Sequence, residues 1–331
     1  MKVAVIGAGS WGTALAQVAA TNGNDVALWA RRESVAFGIN EHHRNPDYLK
    51  DADLSERITS ATSMRDVLQD AQAAIVVTPS KYVRSTASSL AGILGSNTPV
   101  LIATKGVEEE TGMVPVQVFE DVVGNSKRLA AVSGPNHAEE IVKGVPAATV
   151  VASSNASTAL LFQEVLGSQA FRVYTSDDVL GVELCAAAKN VIAIAVGVSY
   201  GLGYGDNTAA MLMTRGQAEM GRLVAAAGGN RLTCMGLAGT GDLIATCMSR
   251  HSRNRTFGEA LAAGETVEQY EARMHMVAEG AQACKSLGTL AKRFAVELPI
   301  TDVVRAMVWE GADPSTVAQV LAARPLKPEM Y

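Results

Sequence analysis

Residues 3–16 read Val3-Ala4-Val5-Ile6-Gly7-Ala8-Gly9-Ser10-Trp11-Gly12-Thr13-Ala14-Leu15-Ala16. An apolar β-branched run leads into a Gly-x-Gly-x-x-Gly turn, and a stretch of good helix formers follows. Glycines at this spacing arise by chance in many chains. Here they lie between a strand-like and a helix-like run, the context that a dinucleotide fingerprint needs. Gly7 permits the tight turn, Gly9 lets the backbone approach a pyrophosphate, and Gly12 lets helix and strand pack closely. The helix N-terminus offers its free N–H groups to the phosphates. Ser10 and Trp11 complete the candidate cofactor loop. The plain alternative is a glycine-rich turn that binds nothing.

Outward from that turn, short apolar runs alternate with helical patterns. Strands are expected at residues 3–6, 26–29, 74–78, 100–103, 130–132, 148–151 and 171–174, with amphipathic helices at 82–93 and 157–166. This βαβ rhythm predicts an α/β fold whose N-terminal part is a Rossmann-type, doubly wound, mostly parallel sheet. Near Ser176 the rhythm stops. Ser176-Asp177-Asp178 reads as an N-cap opening a long, small-residue-rich helix through about Val198. Helical patterns continue from there to the end. The expected organisation is therefore an NAD(P)-binding Rossmann domain over residues 1–176, followed by an all-α substrate and catalytic domain over 177–331.

Composition narrows the function classes. With 331 residues the chain is long for one core, and 48% apolar with 18% charged residues is ordinary for a globular protein. A net charge of −5 argues against a nucleic-acid surface. Cys185, Cys234, Cys247 and Cys284 form no Cys-x-x-Cys, and the histidines form no His-Glu-x-x-His, so no metal site is expected. Met1-Lys2 leads straight into the first strand. The most apolar stretch, residues 179–202, carries Glu183, Lys189 and Asn190, which makes it a poor membrane span. A cytoplasmic protein without membrane or nucleic-acid partners is expected.

The second strand ends in Ala30-Arg31-Arg32-Glu33. An NAD-preferring site usually places Asp or Glu at this tip, to accept from the ribose 2′-hydroxyl. Two guanidinium groups instead match a 2′-phosphate in charge and fork geometry, which points to NADP with NAD accepted less well. The alternative is a solvated charge cluster partly neutralised by Glu33.

Four further segments carry chemistry: Thr104-Lys105-Gly106 after a strand, Ser133-Gly134-Pro135-Asn136-His137-Ala138 after another, Ala188-Lys189-Asn190 within the long helix, and Gly239-Thr240-Gly241-Asp242 followed by Ser252-Arg253-Asn254-Arg255. Lys189 lies mid-helix among apolar residues, where desolvation lowers a lysine pKa towards the range useful for proton transfer. Asn190 is placed to orient it. A lysine snorkelling from a buried helix is the bland reading. Lys105 in isolation reads as a surface loop lysine, and the Ser-Arg-Asn-Arg run as a solvated basic loop.

Together with the glycine turn these segments, spread from residue 3 to residue 280, resemble the bacterial NAD(P)-dependent glycerol-3-phosphate dehydrogenases. The resemblance implies reduction of dihydroxyacetone phosphate to sn-glycerol 3-phosphate, for glycerophospholipid synthesis, by a homodimer using NADPH or NADH. It implies that Lys189 is the general acid/base and that Lys105 polarises the carbonyl beside the nicotinamide. It implies that Ser252, Arg253 and Asn254 clamp the phosphate, that Asp242 meets the substrate hydroxyls, and that Gly134 and Asn136 line the substrate site. Arg253, Tyr48, Ala138, Val277 and Glu279 fall on cofactor-side positions. Asn136 stands where the family pattern has a small hydroxyl residue, and His137 where it has an aromatic, so His137 is assigned a rim role. Two rivals remain at this stage: a related two-domain dehydrogenase acting on a β-hydroxyacid, and a non-catalytic NADP-sensing protein.

Overall fold

The computed structural model describes residues 1–250, 252–274, 278–316, 323, 325, 328 and 329. Strands β1 (Lys2–Ile6), β2 (Asp25–Trp29), β3 (Ile58–Ala61), β4 (Ala73–Val76), β5 (Val100–Ile102), β6 (Leu129–Ser133), β7 (Ala147–Ala152) and β8 (Phe171–Ser176) form one sheet. Their order is β3-β2-β1-β4-β5-β6-β7-β8. Neighbours run parallel except β6 and β7, which pair antiparallel. Val3 and Val5 of β1 pack into one apolar cluster and Ala4 and Ile6 into another, so both sheet faces are covered. That is why the parallel strands read as near-continuous apolar runs.

The sheet reading from sequence omitted β3. Its residues Ile58-Thr59-Ser60-Ala61 bury only Ile58 and Ser60, and it closes the edge beyond β2. An edge strand with one large apolar residue carries too little hydrophobic signal to be distinguished from a loop. The helix expected over 82–93 begins instead as a 3₁₀ turn, Ser80–Tyr82, and continues as Val83–Ala91.

After β8 the described elements are helical. The long helix runs Val179–Gly201, and its cap is Asp178, whose carboxylate accepts from the Gly181 N–H at 2.9 Å. Ser176 instead closes β8, its hydroxyl accepting from the Asp178 N–H at 3.1 Å. By length and composition this helix could cross a membrane, but 89% of its most apolar window is buried inside the fold. It is the core helix of the helical half. Helix Arg253–Ala262 lies against it at backbone contact. A Cβ on Gly197 would fall 2.0 Å from the Arg255 carbonyl oxygen, and one on Gly258 would fall 2.2 Å from that of Ile194. Only glycine permits that approach.

Glu183 joins the two halves from within the long helix. Its carboxylate oxygens accept from the Val116 N–H at 3.1 and 3.3 Å, at the start of helix Pro115–Val123. Burial pushes this carboxyl up to about 8, only partly opposed by the Val116 hydrogen bond. A raised folded-state pKa means that the contribution to stability is complete below the unfolded value of 4.5 and is lost as pH rises through about 8. Glu183→Gln should therefore show a shallower fall in Tm between about pH 5 and about pH 8 than the parent chain. Parallel Tm curves would remove Glu183 as the source of that dependence.

Candidate active site

The strand order reverses between β1 and β4, the switch point where open α/β sheets bind ligands. Residues 7–12 leave β1 at this point. Gly7 has φ +126°, and a Cβ there would lie 2.6 Å from the Val77 carbonyl oxygen just beyond β4. Among the described residues, nothing beyond its chain neighbours stands within 4 Å of where a Cβ on Gly9 would be. The following helix, Ser10–Thr21, has no side-chain cap on its first N–H groups among the described residues. Trp11 adds a buried indole N–H without a partner among the described residues. An open approach at Gly9, uncapped N–H groups and an orphaned donor together fit a dinucleotide pyrophosphate.

Beyond the carboxyl ends of β5 and β6 the candidate catalytic groups converge on one carboxylate. Lys189 comes from the long helix, Lys105 from the loop after β5, and Asp242 from the first position of helix Asp242–Met248. A turn of π-helix, Leu237–Gly241, leads into Asp242, a local irregularity often found at functional sites. Asp242 Oδ1 lies 2.7 Å from Lys189 Nζ, and Oδ2 lies 2.6 Å from Lys105 Nζ. The Thr246 hydroxyl accepts from Lys189 Nζ at 2.6 Å and donates to Asp242 Oδ1 at 3.2 Å. The Ser133 hydroxyl, at the end of β6, donates to Oδ2 at 3.3 Å. Lys189 and Asp242 are buried, while the Lys105 side chain keeps 17% of its surface exposed.

Electrostatics sets the protonation of this cluster. Burial pulls Lys189 down to about 8; Asp242 opposes that shift and the Lys105 charge adds to it. Burial alone would raise the Asp242 carboxyl, but the charges and hydrogen bonds of Lys105 and Lys189 outweigh it and hold it below the usual carboxylate range. The result is a carboxylate holding two ammonium groups, one poised to release its proton near physiological pH.

Asn190 does not orient Lys189, contrary to expectation. Its side-chain Oδ1 accepts from Asn254 Nδ2 at 2.9 Å, and Asn254 Oδ1 in turn accepts from the Gly280 N–H at 2.9 Å. Asn254 thus fastens the Ser252–Arg253 turn and the Glu279 segment to the long helix, and orientation of Lys189 falls to Asp242 and Thr246. Ser252 is buried and caps helix Arg253–Ala262, accepting from the Arg255 N–H at 3.3 Å. The Arg253 side chain is exposed, with no ion-pair partner among the described residues. Glu279, at the first turn of helix Glu279–Phe294, is close enough to Lys189 for its charge to act there. Val277 lies outside the described residues.

On the sheet side, Gly134 follows β6 and Ala138 opens the short helix Ala138–Ile141. Asn136 donates to the Ala148 carbonyl at 3.1 Å while its own amide oxygen is buried without a partner. His137 Nε2 approaches the Ala245 carbonyl at 3.4 Å. At the tip of β2, Arg32 pairs with Asp47 at 2.5 Å rather than with Glu33. Arg31 is exposed and makes no ion pair or hydrogen bond among the described residues. Tyr48 is half-buried next to Asp47. Sequence reasoning missed Ser133, Thr246 and Asp47, because nothing local ties these short polar side chains to partners far along the chain. An open groove of about 480 Å³ lined by Lys285, Lys292 and Arg305 holds none of these groups.

Known proteins match along nearly the whole chain. Residues 2–159 match the family model of the NAD-dependent glycerol-3-phosphate dehydrogenase N-terminus, and residues 178–319 that of its C-terminus. Glycerol-3-phosphate dehydrogenase [NAD(P)+] of Corynebacterium urealyticum is 45% identical, covering 99% of this chain and 100% of its own length. The protein of the same name from Thermobifida fusca is 43% identical, covering 100% and 99% respectively. Among solved structures, glycerol-3-phosphate dehydrogenase from Coxiella burnetii superimposes with a TM-score of 0.93 at 35% identity, covering 98% of this chain and 99% of that one. A ketopantoate reductase from Ralstonia eutropha, at 20% identity and a TM-score of 0.62, shares the fold alone.

Proposed function

The chain belongs to the NAD-dependent glycerol-3-phosphate dehydrogenase family, and from that premise we propose how its residues divide the work of reducing dihydroxyacetone phosphate to sn-glycerol 3-phosphate. It is an oxidoreductase of the NAD(P) type. The observation that carries the residue assignment is the bridge from Asp242 to Lys189 and Lys105.

Gly7, Gly9, Ser10, Trp11 and Gly12 hold the pyrophosphate, Arg31 and Arg32 face the 2′-phosphate of NADP, and Tyr48, Ala138 and Glu279 line the remaining cofactor surface. When bound, the reduced nicotinamide supplies the electron pair as a hydride to C2 of the ketone. Lys189 gives its proton to the alkoxide oxygen that forms there, and Asp242 and Thr246 hold the amine in place. Lys105 stabilises the charge developing on that oxygen, in a site where a preorganised ammonium acts strongly. Arg253 and Ser252 anchor the substrate phosphate, with Arg253 also reaching the cofactor, and Asn254 supports them. Gly134, Asn136 and Asp242 meet the three-carbon body. The orphaned Asn136 oxygen supports this placement, because a substrate hydroxyl would satisfy it.

Reading the two arginines as a 2′-phosphate site makes NADPH the preferred reductant, with NADH accepted. A cytoplasmic homodimer supplying the backbone of glycerophospholipids completes the proposal. The test is NADPH oxidation followed by its near-ultraviolet absorbance with dihydroxyacetone phosphate, and with unphosphorylated dihydroxyacetone as control. Arg253→Ala should raise KM for the phosphorylated substrate about 10²-fold, the loss expected for a charge-assisted clamp. An unchanged KM would remove Arg253 from the clamp, and absence of turnover in the parent chain would favour a sensing protein.

A further inference from the structure

Asp47 is placed by structure. Its N–H and that of Tyr48 donate to Asn45 Oδ1, each at 3.1 Å. Asn45 is fully buried and donates to the Ala8 carbonyl at 3.0 Å and the Thr13 hydroxyl at 2.9 Å. One asparagine therefore pins the 47–48 turn to the glycine loop, and with it the carboxylate that meets Arg32 at 2.5 Å. The ion pair is partly exposed, with side-chain exposures of 50% for Arg32 and 33% for Asp47, so an incoming anion can reach the guanidinium. Arg31 beside it has no such acid.

We propose that Asp47 sets the degree of NADP over NAD preference by competing with the cofactor 2′-phosphate for Arg32. The inference rests on the reading of Arg31 and Arg32 as the 2′-phosphate site. A dianionic phosphate arriving at this tip must displace the carboxylate from Arg32 or sit beside it against repulsion. Either penalty falls on the 2′-phosphorylated ligand alone, because a ribose 2′-hydroxyl carries no charge to compete. Asp47 thus acts opposite to the arginines: they attract the phosphate, and it moderates the attraction so that the unphosphorylated cofactor remains competitive.

Direct binding distinguishes this from the reading beneath it. Titration calorimetry at low ionic strength with 2′,5′-ADP and with ADP compares the two ligands on the parent chain, Asp47→Asn and Arg32→Ala. Asp47→Asn should tighten 2′,5′-ADP about two- to fivefold, the range of exposed ion pairs, and leave ADP unchanged. The gain should shrink as salt is added. If Asp47→Asn leaves 2′,5′-ADP unchanged, or tightens both ligands equally, while Arg32→Ala weakens 2′,5′-ADP, the role of Asp47 is wrong and the arginine site stands. If Arg32→Ala leaves 2′,5′-ADP affinity intact, the arginine reading falls and the inference falls with it.

Discussion

Replacing Lys189 with Met should lower kcat for dihydroxyacetone phosphate reduction by about 10²–10⁴-fold while NADPH still binds. The methionine keeps the length of the buried side chain, and Asp242 retains Lys105 as its counter-ion, so the variant should fold. NADPH affinity from fluorescence titration and Tm by scanning calorimetry report these two controls. In the parent enzyme the pH profile carries the signature of Lys189. Reduction needs the protonated amine, so its rate should be level below and fall above about 8, where burial places this lysine. Oxidation of glycerol 3-phosphate needs the neutral amine and should rise through the same region. Full turnover in Lys189→Met would assign the proton to another group.

The second large effect concerns the carboxylate between the lysines. Asp242→Asn keeps the shape but leaves two ammonium groups facing each other without a counter-charge. Asp242 is what opposes the fall of Lys189, so without it the lysine should lose its proton at lower pH. At about pH 8 reduction should drop roughly 10²-fold, with part of the loss recovered on acidifying the assay. A stability loss approaching about 3–5 kcal/mol is expected wherever both lysines stay charged, the range for breaking a buried pair. A merely structural Asp242 would lower Tm without displacing the pH profile, and that outcome would separate the carboxylate from catalysis.

Much of this was written locally in the chain. The apolar runs of β1, β4 and β6 point to a parallel sheet because strands buried on both faces have no polar alternation to blur them. Lys189 stands out as a lysine within a long, small-residue-rich apolar helix, but snorkelling explains that pattern as well, and the resemblance supplies the role. What stayed hidden depended on tertiary contact between short polar side chains. Ser133 reaches Asp242 across 109 positions of sequence, and Lys105 across 137. No periodicity encodes such pairs. The assignment of Asn190 failed for the same reason: its neighbour in sequence is Lys189, but its neighbour in space is Asn254. β3 stayed hidden for a different reason, since an edge strand of four residues can be half polar and still pair.

The contact at Gly197 and Gly258 acts as a ruler. It fixes helix Arg253–Ala262 against the long helix through main chain, so the span from Lys189 to the Ser252–Arg253 turn cannot be lengthened by rotating side chains. On the proposed assignment, that span is the distance from the carbonyl oxygen of the substrate to its phosphate. On that assignment, substrate length is read against a main-chain spacing that Gly197 and Gly258 help to set.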